Sequence, residues 1–266
     1  MIESVTNTSV KAVVGLRDKA KRRREEGAFV AEGPRMVLET PLHLLERVFV
    51  TEAFLSDSHH REGMKPLQEA AIPIETVTEK VLKTMSDTVT PQGILAVIRQ
   101  PKYALSDLLG DEMHPAMLVI LEKIQDPGNL GTIFRTAEGA GCTGVLLSRD
   151  TVDLFSPKVV RATMGALYRM PFFVSEDLYE TLQGLRLKGV KLFAAALDAQ
   201  MDHADCDYTR PCGFLIGNEG NGLSHEAMEL ADQKVLIPME GKLESLNASV
   251  AAAILMYEAN RQRRRR

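Results

Sequence analysis

The run Ala116–Met117–Leu118–Val119–Ile120–Leu121 contains no polar side chain. A strand with one wet face alternates apolar and polar residues. A strand apolar at every position is covered on both faces, as in a parallel sheet between two layers of helices. Further apolar runs follow at Gly144–Leu147, Phe172–Val174, Lys191–Leu197, Gly213–Ile216 and Lys234–Ile237. Helical patterns start between them near Asn129, Pro157, Glu176, Ser224 and Asn247. This alternation predicts an α/β unit with a mostly parallel sheet and helices on both faces. Ligands of such sheets bind outside the C-terminal strand ends.

The chain upstream reads differently. Helical patterning up to Glu26 is followed by Phe29–Val30–Ala31–Glu32–Gly33 and a helix from Pro34 to about Glu39, with proline at a favourable first helical position. Arg47–Val50, Ile72–Val77 and Gly93–Ile98 read as strands, giving a smaller α/β sandwich. Gln100–Tyr103 reads as a linker, and Ser106–Pro115 as a short helix leading into the second unit. The expected domains are 1–105 and 106–266.

With 45% hydrophobic and 26% charged residues the composition is that of a globular protein. Met1–Lys11 is polar and no apolar stretch reaches bilayer length, which predicts a cytoplasmic location and no membrane partner. Three cysteines, Cys142, Cys206 and Cys212, make no disulfide framework. Cys206 and Cys212 lie near His203, Asp205 and Asp207, but the spacing matches no zinc pattern, so no metal is expected and the two read as reduced thiols of a surface loop.

Net charge is −4, yet its distribution is uneven. Arg17, Lys19, Lys21, Arg22, Arg23 and Arg24, offset by Asp18, carry +5 within eight residues, and Arg261 with Arg263–Arg266 carry another +5, leaving −14 for the remainder. Concentrated basic charge on an acidic body binds phosphate locally, so the first run is a candidate RNA-binding surface. The same residues also fit a solvated helix face and, at the C-terminus, a frayed tail.

Three loops, each after an expected strand, carry the chemistry. In Asp126–Pro127–Gly128–Asn129–Leu130–Gly131–Thr132–Ile133–Phe134–Arg135, the residues Leu130, Ile133, Phe134 and Ala137 form a buried helical stripe. Asn129 stands where an N-cap belongs, and Gly131, Arg135 and Glu138 share a flank, with Arg135 beside an anion-attracting helix end. Taken alone, this reads more simply as a capping asparagine and a solvated arginine. In Gly217–Asn218–Glu219–Gly220–Asn221–Gly222, three glycines exceed what a turn needs and present backbone directly to a ligand. In the third loop Ile237–Pro238–Met239–Glu240–Gly241 leads to Glu244–Ser245–Leu246–Asn247–Ala248–Ser249, where Ser245 and Asn247 bracket the start of an alanine-rich helix. Gly139–Ala140–Gly141–Cys142–Thr143–Gly144 fits the dinucleotide fingerprint only in form. A helix precedes it and a strand follows, the reverse of the required context, which disfavours a nicotinamide-dependent oxidoreductase.

In order, type and spacing the three loops resemble the motifs of the SpoU (TrmH-like) branch of the SPOUT methyltransferases, from about Ala116 to Gln262. The upstream unit resembles, more weakly, that family's ribosomal-protein-like substrate-binding domain, through Phe29–Gly33 and Thr90–Val97. The resemblance implies an S-adenosylmethionine-dependent methyltransferase acting on a ribose 2′-hydroxyl of RNA. It also implies a C-terminal trefoil knot, which the rarity of knots would not suggest, and a homodimer through the C-terminal domain. Cofactor-binding residues would be Ala196 and Leu197 on one loop, Gly217, Asn218, Glu219 and Gly220 on the next, and Ile237, Met239, Ser245 and Leu246 on the last. Arg135, Asn129, Glu219, Ser245 and Asn247 would form the catalytic site. The resemblance assigns the proton of the 2′-hydroxyl to Arg135, although a guanidinium is a poor base. Contact with the nucleotide phosphate and the hydroxyl is the role its chemistry supports. The two-domain layout points to rRNA rather than tRNA. Base methylation by the TrmD-like branch and a non-catalytic RNA-binding member of the fold are the competing readings.

Overall fold

The structure, a computed structural model, describes residues 1–242 and 245–265. Glu244 of the third loop and Arg266 of the basic terminus lie outside the described residues. The chain forms two compact units, 1–102 with 153–168, and 103–152 with 169–266. The segment 153–168, which chain order alone assigns to the second unit, belongs to the first.

In the first unit the helical pattern before Glu26 is two helices, α1 (Thr8–Asp18) and α2 (Ala20–Glu26), broken where Lys19 is extended. Then come β1 (Ala28–Glu32), α3 (Pro34–Leu38), β2 (Leu45–Val50), α4 (Glu52–Ser56), α5 (Ser58–Glu69), β3 (Ile74–Thr76), α6 (Glu79–Met85) and β4 (Ile94–Arg99). The sheet order is β1-β4-β2-β3, antiparallel except for the β2–β3 pair. Val10, Val13 and Leu16 of α1 and Val81, Leu82 and Met85 of α6 pack with Val30, Phe49 and Leu95 of the strands to form its core.

The second unit is built on β5 (Met117–Leu121), α7 (Pro127–Ala140) and β6 (Gly144–Ser148). The chain then contributes α8 (Pro157–Thr163) to the first unit before returning. It continues through β7 (Phe172–Ser175), α9 (Leu178–Leu187), β8 (Lys191–Ala195), a two-residue β9 (Met201–Asp202), β10 (Cys212–Ile216), α10 (His225–Leu230), β11 (Gln233–Leu236) and α11 (Ala248–Arg263). Among the described residues these strands form one parallel sheet in the order β7-β6-β5-β10-β8-β11-β9. Every residue of β5 and of β10 is buried, as continuous apolarity requires of central strands. Helices α7 and α11 pack on each other, and α11 also packs on β5 and β10, while α9 and α10 cover β8. The register Ile216↔Leu121, Leu215↔Ala194 and Val235↔Ala195 brings the C-terminal ends of β5, β10, β8 and β11 to one rim.

Three expectations differ from what the structure shows. The strand expected over Lys191–Leu197 ends at Ala195, so Ala196 and Leu197 are loop. Cys212 is not in a surface loop but opens β10, buried, and burial pushes its thiol up to about 11. Arg263 is not part of a frayed tail: its guanidinium donates to the carbonyls of Tyr208, Pro115, Ala116 and Arg210, which ties the end of α11 to the start of the central strands.

Candidate active site

Strand β5 ends at Leu121, and the chain passes through Glu122 and Lys123 before it turns into α7. The N-cap of α7 is Asp126, not Asn129: the Asp126 carboxylate accepts from the Asn129 N–H at 2.8 Å, and Pro127 occupies the first helical position. Asn129 is thereby inside the first turn, buried, with its side-chain amide free for other partners. Its Nδ2 donates to Glu219 Oε1 at 3.0 Å, and its Oδ1 accepts from Asn247 Nδ2 at 2.9 Å. Asn247 in turn caps α11, its Oδ1 accepting from the Ser249 N–H and Oγ–H. Three loops far apart in the chain are thus joined by one line of hydrogen bonds, Glu219–Asn129–Asn247–Ser249.

Glu219 also accepts from the backbone N–H groups of Gln125 and Asp126, each at 3.0 Å. Burial disfavours its charge, but the donors on Asn129, Gln125 and Asp126 outweigh that and hold its carboxyl below the usual range. The glycine-rich loop is fixed at both ends by the exit of β5. Asn218 Nδ2 donates to the Lys123 carbonyl at 2.9 Å, and the Ser224 N–H donates to Glu122 Oε2 at 2.8 Å. Glu122 is 2% exposed, and its second oxygen accepts from the Tyr179 hydroxyl at 3.0 Å. Within the loop, Asn218 and Gly222 exchange backbone hydrogen bonds. A Cβ on Gly217 would lie 2.1 Å from the Gly222 carbonyl carbon, so no other residue fits there, whereas Gly220 has room.

These loops enclose a cavity of about 400 Å³ at the C-terminal rim of the sheet, a size typical of small-molecule sites. Ala196 and Leu197 form one wall, Gly217, Asn218, Glu219 and Gly220 a second, and Ile237, Met239, Ser245 and Leu246 a third. All ten residues expected to contact a cofactor therefore face one space. Leu197, 62% exposed, is an apolar group open to whatever enters. Apolar side chains such as Leu197, Ile237 and Leu246 share the lining with glycine backbone and with Asn218, Glu219 and Ser245, a mixed surface suited to a flat heteroaromatic ring with polar edges. Among the described residues no group of His, Cys, Asp and Glu is arranged to hold a metal ion.

The expected catalytic residues separate into two sets. Asn129, Glu219 and Asn247 are joined directly, and Ser245 lies on the cavity wall. Arg135 does not line the cavity; it is exposed on α7, with no hydrogen bond or ion pair among the described residues. Glu138, on the same flank, is paired with Arg169. Sequence reasoning missed Asp126, Glu122 and Tyr179. Pro127 at a first helical position marks Asp126 as the cap, and an acidic residue directly after an all-apolar strand marks Glu122.

The basic run of the first unit divides as well. Arg23 is buried, 5% exposed, and donates to Asp153 and to the carbonyls of Leu16 and Arg17, so it is a structural residue and not an RNA contact. Arg17 is held by Asp18 and by the carbonyls of Thr84 and Ser86, and Arg22 is paired with Glu26. Lys19 and Arg24 are exposed, and exposed Lys21 reaches Glu25 only at 3.7 Å. These three remain as candidate phosphate contacts.

A family model described as the SpoU rRNA Methylase family matches residues 116–257, and one described as an MRM3-like substrate binding domain matches residues 7–96. The 23S rRNA (guanosine(2553)-2′-O)-methyltransferase RlmP of Bacillus subtilis is 32% identical, over 96% of this chain and 97% of its own. The crystal structure of an AdoMet-bound rRNA methyltransferase from Sinorhizobium meliloti is 31% identical, with a TM-score of 0.87 over 98% of this chain and 97% of that one. The SpoU methyltransferase AviRb from Streptomyces viridochromogenes, in complex with the cofactor AdoMet, is 26% identical, with a TM-score of 0.86 over 98% of this chain and all (100%) of that one.

Proposed function

We propose, from the premise that this chain belongs to the SpoU rRNA methylase family, that it transfers the methyl group of S-adenosylmethionine to a ribose 2′-hydroxyl of rRNA. The observation that carries this reading is the convergence of the three loops on one glycine-edged cavity, held by the Glu219–Asn129–Asn247 line. A likeness to AdoMet-bound structures over nearly the whole chain supports the same cofactor here. When bound, S-adenosylmethionine supplies an electrophilic methyl group on a good leaving group. The protein has then to hold the ribose in line and keep water out. Leu197, Ile237 and Leu246 exclude water from the slot, and the backbone of 217–220 contacts the heterocycle. Asn129 and Glu219 keep the loops in register, and Ser245 faces the incoming ribose.

Arg135 serves the RNA, contacting the phosphate and the 2′-hydroxyl. Its absence from the lining of its own cavity fits a homodimer in which it serves the cleft of the second copy. The helix surface that supports pairing lies on α11, where Val250 and Tyr257 are 46% and 51% exposed, one above the other at a spacing of two turns, with Ile254 between them. The trefoil knot belongs to the same reading, supported by the return of β10 between β5 and β8. In this reading the unit of 1–102 with 153–168 binds the substrate, and the unit of 103–152 with 169–266 carries the methyltransferase site. Among the described residues no helix is long and apolar enough to cross a membrane, and the cytoplasm is where rRNA would be met.

Calorimetric titration of S-adenosylmethionine into the full chain tests the cofactor assignment. Saturable binding that Leu197→Asp weakens at least about tenfold, a cost of about 1.4 kcal/mol, is the expected result. No binding, or binding indifferent to that substitution, overturns it.

A further inference from the structure

Lys123 has a backbone conformation that suits glycine. Among the described residues of the second unit it is the one non-glycine residue in the left-handed region, with φ +56. A Cβ is disfavoured there, and glycine or asparagine adopts it more readily. The conformation is imposed from both sides. The Lys123 N–H donates to Ser148 Oγ at 2.9 Å, and its carbonyl accepts from Asn218 Nδ2 at 2.9 Å and from Gln125 Nε2 at 3.2 Å. The residue is therefore clamped between the end of β6 and the start of the glycine-rich loop. Its side chain is exposed and finds no hydrogen bond or ion pair among the described residues. The nearby carboxylates are occupied: Glu122 by Tyr179 and Ser224, Glu219 by Asn129 and the 125–126 backbone.

Backbone strain at a site is a pointer to function, because a strained residue persists only where something else holds it. The chemistry of the site has a use for a cation at this place. In RNA the 3′-phosphate is attached to the carbon next to the one bearing the 2′-hydroxyl. A nucleotide whose 2′-oxygen faces the cavity therefore carries its phosphodiester to the rim. Asn218, bonded to the Lys123 carbonyl, lines that cavity. Resting on the RNA methyltransferase reading, we infer that the Lys123 ammonium binds a backbone phosphate of the RNA at the methylated nucleotide, and that its strained backbone is retained for that contact.

The inference makes stability and RNA affinity move in opposite directions. Lys123→Gly relieves the backbone and removes the charge. It is expected to keep or raise Tm and to leave S-adenosylmethionine affinity unchanged. It is also expected to weaken binding of in-vitro-transcribed 23S rRNA about three- to tenfold, with a salt slope smaller by about one. Lys123→Ala, which keeps the strain, should lose RNA affinity equally without the gain in Tm, and Lys123→Arg should retain the slope. Wild-type affinity and slope in both the glycine and alanine variants would overturn the inference. So would an equal loss of cofactor affinity, which would assign the effect to the backbone clamp. If the wild-type protein binds the RNA and methylates it while the variants match it, only this inference fails. If the wild-type protein neither binds nor methylates any rRNA, the reading beneath it fails too.

Discussion

The cleft of the second unit and the basic run of the first treat sequence distance in opposite ways. Glu219 and Asn247 lie 90 and 118 residues from Asn129 and end with it in one line of hydrogen bonds. Arg17 to Arg24 are neighbours in sequence and end apart: one is buried against Asp153, one is tied to the carbonyls of Thr84 and Ser86, one is paired with Glu26, and three are left exposed. A helix turns about 100° per residue, so consecutive cations cannot share a face. Loops that leave parallel strands in the same direction must share a rim. Charge density in sequence is thus a weaker guide to a site than the places where the chain leaves its strands.

The largest effect that would break this contrast lies at Arg135. Arg135→Ala should lower methylation of rRNA by about a hundredfold or more while leaving cofactor affinity nearly intact, as expected of a group acting on the substrate; equal loss of both would place Arg135 in the cofactor site instead. Mixing Arg135→Ala with Asn247→Ala protein should restore part of the activity if Arg135 serves a partner copy, since some mixed dimers then hold one complete cleft. No restoration over the separate variants contradicts that arrangement.

Next come two of the three glycines of the loop 217–222. Gly217→Ala forces a Cβ into the Gly222 backbone and should abolish measurable cofactor binding, while Gly220→Ala, with its nearest neighbour at 3.6 Å, should stay within about twofold of wild type. Similar losses in both would mean that the loop is shaped by something other than this close approach.

The basic run supplies the middle of the scale. Arg23→Ala should destabilise the protein by about 3 kcal/mol, because it leaves Asp153 without its buried partner. Neutralising Lys19, Lys21 and Arg24 together should change stability by less than about 0.5 kcal/mol and lower the salt slope of RNA binding by about two. The opposite pattern, a stable Arg23→Ala protein with a flattened slope, would restore the whole run as a nucleic-acid surface.

The smallest expected effect is that of pH on the cleft. The folded Glu219 carboxyl titrates below its unfolded range, so its stabilising contribution is complete above the unfolded pKa, about 4.3. It is lost as pH falls through the folded value. Between neutral pH and pH 3 the difference in Tm between wild type and Glu219→Gln should shrink as the carboxylate is protonated. A constant difference across that range would mean that the carboxylate charge is not what holds the loops together.

Much of this architecture was legible because β5 and β10 are continuously apolar and the punctuating glycines stand after strands. The order of the strands was not, since nothing in β10 itself says that it inserts between β5 and β8. The cap of α7 was misread because aspartate and asparagine both cap well, and only Pro127 separates them. Arg23 was misread because its partner, Asp153, lies 130 residues away on the segment 153–168, which joins the same unit as Arg23 from far along the chain. Lys123 was invisible, because a left-handed lysine leaves no mark in sequence until the bonds from Ser148 and Asn218 are known.

The central claim is that the cleft delivers a methyl group to a sugar oxygen. Labelled methyl from S-adenosylmethionine, transferred to rRNA from cells lacking the gene and followed by complete alkaline hydrolysis, decides it. A 2′-O-methyl group blocks the attack that cleaves the adjacent link, so the label should appear in an alkali-resistant dinucleotide. Label recovered wholly in mononucleotides would place the methyl on a base and contradict the account.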